Sequence, residues 1–317
     1  MSTKQSCQQN RGGLHPSNNL VVDRKESLLR GGTESKMQAL SDLWHGISRH
    51  PWKTAGLVYL AFSALFTLFQ AINFFDNRVK FEGLIYLVLL TTLSVVFAFW
   101  RVWKPSSICI PVDHTNTTIE IVFGDLFNMN GIKIISVNNF FDSKIGRPVS
   151  DKSLHGIFIQ RSFGGHPQGF DAQVDIQLAN EQSDDVPQKQ DGKTKSYAIG
   201  TTALIDVAGD PYILVALAES DPATCKASSD VTKMWLALHG AWKRARIEAG
   251  GHDINVALVG SGLAGLGLPT RDLLNLIILS AITETKAQEI TRKIRIVLHR
   301  DRFEDLDLRD VKQHWEQ

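Results

Sequence analysis

Cysteine is scarce in this chain. Only Cys7, Cys109 and Cys225 occur in 317 residues, and they lie far apart. That excludes a disulfide framework and a zinc-type cysteine cluster, and it suits a reducing compartment. An excess of either charge is also missing: lysine and arginine total 34 against 33 aspartates and glutamates, a formal net charge of +1. No whole-chain field therefore draws the protein to nucleic acid, which is not expected as a partner. The first 50 residues are polar and hold no apolar core, which argues against a secretory signal peptide. There is no internal repeat. No His, Cys and Asp group has metal-ligand spacing, so neither a metal nor a resident cofactor is expected.

What the chain has instead is two long apolar runs, residues 54–75 and 83–100. Each is close to the ~20 residues that cross a bilayer as a helix. The linker 76–82 is short, so the helices must be antiparallel neighbours. Its Asp76 and Glu82 balance Arg78 and Lys80. Arg49 and Lys53 precede the first run, and Arg101 and Lys104 follow the second. Trp52, Trp100 and Trp103 sit at the same ends, where indole rings favour the interface. These flanks favour an inner-membrane hairpin with both termini in the cytoplasm, over a helical hairpin buried in a globular core. Gln70 and Asn73 lie three apart on one face of the first run. Amides in lipid seek partners and could join helices of different subunits, although Asn73 could instead reach the headgroups. Two helices cannot enclose a pore, so any permeabilising role requires a homo-oligomer acting on membrane lipid.

Three regions follow: a polar segment at 1–50, the hairpin at 51–104 and a soluble domain at 105–317. Within the first, residues 35–48 place Met37, Leu40, Leu43, Trp44 and Ile47 at helical spacing. Such a helix would lie either on the membrane surface or against the soluble domain. In the soluble domain, residues 117–123 and 133–137 alternate as strands. Residues 150–163 look helical at their start, with an ambiguous end, and 180–195 read as an exposed polar loop. Strands are expected at 197–206 and 212–219, joined through Ala208-Gly209-Asp210-Pro211. A helix at 229–249 opens on the capping types Ser229 and Asp230 and closes at Gly250-Gly251. A buried-type strand at 254–259, a helix at 270–286, a strand at 293–299 and a helix at 306–315 complete the pattern. Such mixing predicts a three-layer α/β/α sandwich with a mixed sheet.

Two strand-end segments are candidates for a pocket rim. One is Gly124-Asp125-Leu126-Phe127, with Val137-Asn138-Asn139 at the next strand end. The other is Gly260-Ser261-Gly262-Leu263-Ala264-Gly265-Leu266-Gly267. Glycines let a ligand approach backbone N–H groups, and a helix start nearby suits a phosphate. A flexible connection would look the same, and Asp125 alone would serve equally as a helix cap. His155, Arg161 and His166 follow in the presumed wall and could read a carboxylate, though a solvated surface explains them as well. Ser261 has no visible His or Asp partner, so no catalytic residue is assigned. The run Lys243-Arg244-Ala245-Arg246 reads as the wet face of its helix.

Together these segments resemble the ADP-ribose-binding macro domain over about residues 106–317. The resemblance implies that Asp125 contacts the adenine amino group, that Asn138 lies near the distal ribose, and that Ser261, Gly262, Leu263, Ala264 and Gly265 wrap the diphosphate. Leu126, Asn139 and Gly260 would share that rim. The family's Asn-Ala-Ala-Asn stretch is Asn138-Asn139-Phe140-Phe141 here, and its following Gly-rich loop is replaced by Phe141-Asp142-Ser143-Lys144-Ile145-Gly146. These departures favour a binder over the alternative, a membrane-tethered ADP-ribosyl hydrolase. A third reading is a structural anchor that recruits a partner. A macro-like domain behind a two-helix hairpin is similar to the membrane-anchored effectors of the bacterial Thoeris anti-phage system. That likeness implies an NAD-derived signal such as histidine–ADP-ribose, made by a TIR-domain enzyme, and membrane disruption as the output.

Overall fold

The computed structural model describes residues 51–75, 83–262 and 266–316. The expected amphipathic helix at 35–48 and the linker at 76–82 lie outside the described residues. The chain divides into two compact units, Met1–Lys104 and Pro105–Gln317.

In the first unit both apolar runs are helical, as α1 (Pro51–Phe75) and α2 (Leu84–Val102). Both are long and apolar enough to cross a membrane. They pack through a limited face. Ala61 of α1 is buried, as are Leu90, Ser94 and Ala98 of α2, whose four-residue spacing lines them along one side. Small side chains there let the two helices approach closely. Phe69 meets Tyr86 edge to face across the same contact. Four hydroxyls that would be costly in hydrocarbon are satisfied within their own helices: Thr67, Thr91, Thr92 and Ser94 each donate to the carbonyl four residues earlier at 2.8 Å. The remaining surface is apolar and exposed, including Leu60, Phe66, Leu68, Ile85, Val88 and Leu93.

The second unit is built on one large mixed sheet. Its strands are β1 (Ser107–Pro111), β2 (Thr118–Phe123), β3 (Ile132–Asn138), then β6 (Thr202–Val207), β7 (Asp210–Ser220), β8 (Ala227–Ser228), β9 (Ile254–Ala257) and β10 (Lys293–Leu298). The spatial order is β1-β2-β10-β9-β3-β7-β6, with β8 beside β7. The five central strands, β2 to β7 in that order, run parallel, and β1, β6 and β8 are antiparallel additions. A separate pair, β4 (Ser183–Asp185) and β5 (Lys195–Tyr197), forms a small hairpin.

Strand periodicity divides the core. On β3, Ile132 and Ile134 face one layer, which includes α5 (Val231–Glu248) and α6 (Thr270–Ala287). Ile135 and Val137 face the other, with α3 (Leu154–Phe163) and α4 (Gln168–Gln177). A final helix, α7 (Leu308–Trp315), packs by β1. This is the expected α/β/α sandwich.

Several local readings change. Residues 150–153 are not helical: Ser153 is an N-cap whose hydroxyl accepts from the Gly156 N–H, so α3 occupies the end of the predicted segment. The loop at 180–195 contains β4, and its Lys189 is buried. The strand predicted at 197–206 is two strands, broken where Gly200 turns at φ 92° against the Leu236 carbonyl of α5. The short β1 and α4 have no counterpart in the sequence pattern. β1 ends on Pro111, and α4 buries only Phe170 and Val174, so neither gives a strong periodic signal.

Candidate ligand-binding cleft

All five parallel strands end on one edge of the sheet, and the chain leaves each through a loop there. Ligands in open α/β sheets bind at that edge. Two adjoining cavities of about 940 and 550 Å³ occupy it. They share Leu154, Ile157, Ala257, Val297, His299 and Asp301 as walls, so they form one elongated cleft. Each is the size of a small-molecule site.

The smaller end is lined by Gly124, Asp125, Leu126 and Phe127, which follow β2. Asp125 does act as a cap, since one of its oxygens accepts from the Phe127 N–H at 3.1 Å. Its other oxygen is held at 2.7 Å by Arg161 from α3. The Arg161 guanidinium in turn lies 4.9 Å from the centre of the Phe127 ring. Burial pushes the Asp125 carboxyl up. The Arg161 and Phe127 hydrogen bonds, with the positive fields of Arg161 and His299, outweigh it and hold the group below the usual carboxylate range. This end therefore presents an ionised acceptor beside an aromatic and a guanidinium plane, a setting for a flat base that carries an N–H donor.

The larger end takes Ser136, Val137 and Asn138 from β3, Gly260, Ser261 and Gly262 after β9, and the first turn of α3. Asn138 is buried and largely engaged. Its carbonyl accepts from the N–H groups of Phe140 (3.3 Å) and Asp142 (3.1 Å), and its amide donates to Asp142 at 2.8 Å. Asp142 is fully buried and paired with Lys189, also fully buried, at 2.7 Å. Lys193 N–H donates to Asp142 as well, and Lys189 donates to the Lys193 carbonyl. Asn139 does not line the cleft. Its side chain ties Ser196 to the Ser220 N–H at the end of β7.

The glycine loop is shaped from inside. Gly260 turns at φ 82°, and a Cβ there would meet Leu266 at 2.7 Å. The Leu266 N–H closes the loop on the Gly260 carbonyl at 3.1 Å, and the Ser261 hydroxyl donates to Leu258 at 2.8 Å. Gly262 faces open space. Leu263, Ala264 and Gly265 lie outside the described residues. The first turn of α3 lines the same cavity, and the start of a helix favours an anion.

His155 lines the larger cavity but carries no charge there. His155 packs its ring by Phe170, and burial, with the charge of Lys193, pushes it down to about 3, so it is neutral. His166 is exposed and lies outside both cavity linings. The segment after β10, with His299, Asp301, Arg302 and Asp305, lines the larger cavity and is absent from the sequence-derived candidates. Its only sequence signal is its place after a parallel strand.

The mixed sheet between two helix layers, with its cleft at the strand ends, defines a macrodomain. Residues 119–299 match the family model of the Thoeris protein ThsA, Macro domain, and the chain belongs to that family. Among solved structures it is similar to a mutant of the Oceanobacillus iheyensis macrodomain with ADPR (12% identity, TM-score 0.48, covering 67% of this chain and 100% of that one). It is also similar to the Oceanobacillus iheyensis macrodomain with MES bound (12%, TM-score 0.47, 66% and 97%). A third likeness is to the macro domain of ganglioside induced differentiation associated protein 2 (13%, TM-score 0.36, 59% and 79%). No curated protein matches the chain.

Proposed function

We propose that this chain is a membrane-anchored anti-phage effector that senses an ADP-ribose-type signal in its macrodomain cleft. The observation that carries the reading is the cleft's polarity. An ionised carboxylate, Asp125, stands at one end, and a glycine loop and the first turn of α3 line the other. A nucleoside diphosphate with a distal sugar has a base donor and a diphosphate to match them. Asp125 and Leu126 would hold the base, Gly260 to Gly265 the diphosphate, and the free N–H of Asn138 the distal ribose. Asn139 would act behind the site by fixing β7. Histidine–ADP-ribose made from NAD by a TIR-domain enzyme is the signal that fits the family's defence role.

Binding rather than turnover is favoured by Asn138, whose side chain is held by Asp142 and by the N–H groups of Phe140 and Asp142. The two apolar helices would anchor the chain in the inner membrane with both termini in the cytoplasm. Signal binding would favour a self-associated state, provided the ligand binds that state more tightly, and the gathered hairpins would breach the bilayer.

Dye release from proteoliposomes tests the whole scheme. Histidine–ADP-ribose should trigger release and be recovered intact, and Asp125→Ala should abolish the response. Release that is independent of the signal, or recovery of free ADP-ribose from it, would overturn the proposal.

A further inference from the structure

α1 carries a polar stripe that its partner helix does not cover. Ser63, Thr67 and Gln70 are spaced by four and three residues and share one face. Phe69, which meets Tyr86 of α2, and the buried Ala61 mark the face of α1 turned to α2. At about 100° per residue, the Ser63–Thr67–Gln70 stripe lies on the opposite side. Thr67 satisfies its own hydroxyl on the Ser63 carbonyl at 2.8 Å, but Gln70 is exposed, and its side chain has no hydrogen-bond partner among the described residues. One turn to either side, at Phe66 and Phe74, the same face is apolar and exposed. In water such an amide would be solvated. In hydrocarbon it needs a polar partner, because an unsatisfied polar group is costly there.

We infer that this stripe is a self-association surface, with Gln70 of one copy hydrogen-bonded to Gln70 of a second copy of this chain. The inference rests on the reading of α1 as a membrane span. A primary amide carries both donor and acceptor, so it is its own complement. Copies inserted in one orientation run their α1 helices parallel, which places like against like about a twofold axis along the membrane normal. Ser63 and Thr67 are small, and Thr67 is satisfied within its own helix, so the backbones can approach along the same line. The stripe lies wholly within the hairpin, so its contact is testable without a signal.

Disulfide trapping in native membranes tests it on the full chain. Phe74→Cys, one turn beyond Gln70 on the stripe, should form a cross-linked dimer above the background of the chain without the new cysteine. Adding Gln70→Leu should lower the yield roughly three- to tenfold, and Gln70→Asn should restore most of it. Protein that alkaline carbonate strips from the membrane would overturn the membrane reading and this inference with it. Protein that stays in the membrane but cross-links equally with Gln70→Leu, or not at all, would overturn this inference alone. Running the assay without any signal keeps its outcome separate from that of the ligand-sensing experiment.

Discussion

At the scale of single residues, the cleft rests on charges that the sequence shows unevenly. Asp125 is legible because it follows a strand and a glycine, and the structure adds the Arg161 clamp on it. Lys189 is not legible. It lies in the stretch NEQSDDVPQKQDGKTK, which reads as wet, yet its ammonium is fully buried on Asp142 beneath Asn138. Only the folded chain brings residues 47 apart in sequence together there. Removing one partner of such a pair strands a buried charge, so Lys189→Met should destabilise the second unit by about 3–5 kcal/mol. Urea unfolding reads that loss, and an unchanged midpoint would mean that the pair is not buried as described. His155 makes a second prediction at this scale. Its folded value, about 3, lies below the unfolded one near 6.5, so the unfolded chain binds more protons between them and stability falls as pH drops below 6.5. From about pH 6.5 to 5.5 the loss should be about 1 kcal/mol, and His155→Leu should remove that part of the slope.

At the scale of elements, the parallel strands are readable from their apolar runs, and so are the long helices α5 and α6 from their spacing and caps. The elements that escape such a reading do so for physical reasons. α4 is short and mostly exposed. β5 and β6 read as one strand because the break between them is a tight turn, closed by the Thr201 N–H on the Ala198 carbonyl, whose one mark in the sequence is Gly200. The glycine loop shows a similar limit. Its glycines look alike in sequence but differ in role. Gly260 is required by its positive φ and by the nearness of Leu266, whereas a side chain at Gly262 would project into open space. Gly262→Phe should therefore leave the unfolding free energy within about 0.5 kcal/mol of wild type while filling the larger end of the cleft. Gly260→Val should destabilise the fold itself. A Gly262→Phe chain that fails to fold would show that the loop is packed more tightly than the structure indicates.

At the scale of the whole molecule, the chain joins an apolar helical hairpin to a macrodomain whose ligand edge is one continuous cleft. The hairpin is the plainest feature of the sequence, and the sandwich architecture follows from its mix of strands and helices. What only folding supplies is the joining of strand-end loops more than 100 residues apart, from Asp125 to Gly262, into one site. The function proposed for the molecule depends on that cleft receiving an ADP-ribose-type ligand. The decisive experiment is calorimetric titration of the full chain with ADP-ribose and histidine–ADP-ribose. The expected result is saturable binding of one ligand per chain, with affinity at least roughly tenfold weaker in the folded Gly262→Phe protein. Absence of binding at millimolar ligand, or binding of equal affinity in Gly262→Phe, would contradict it.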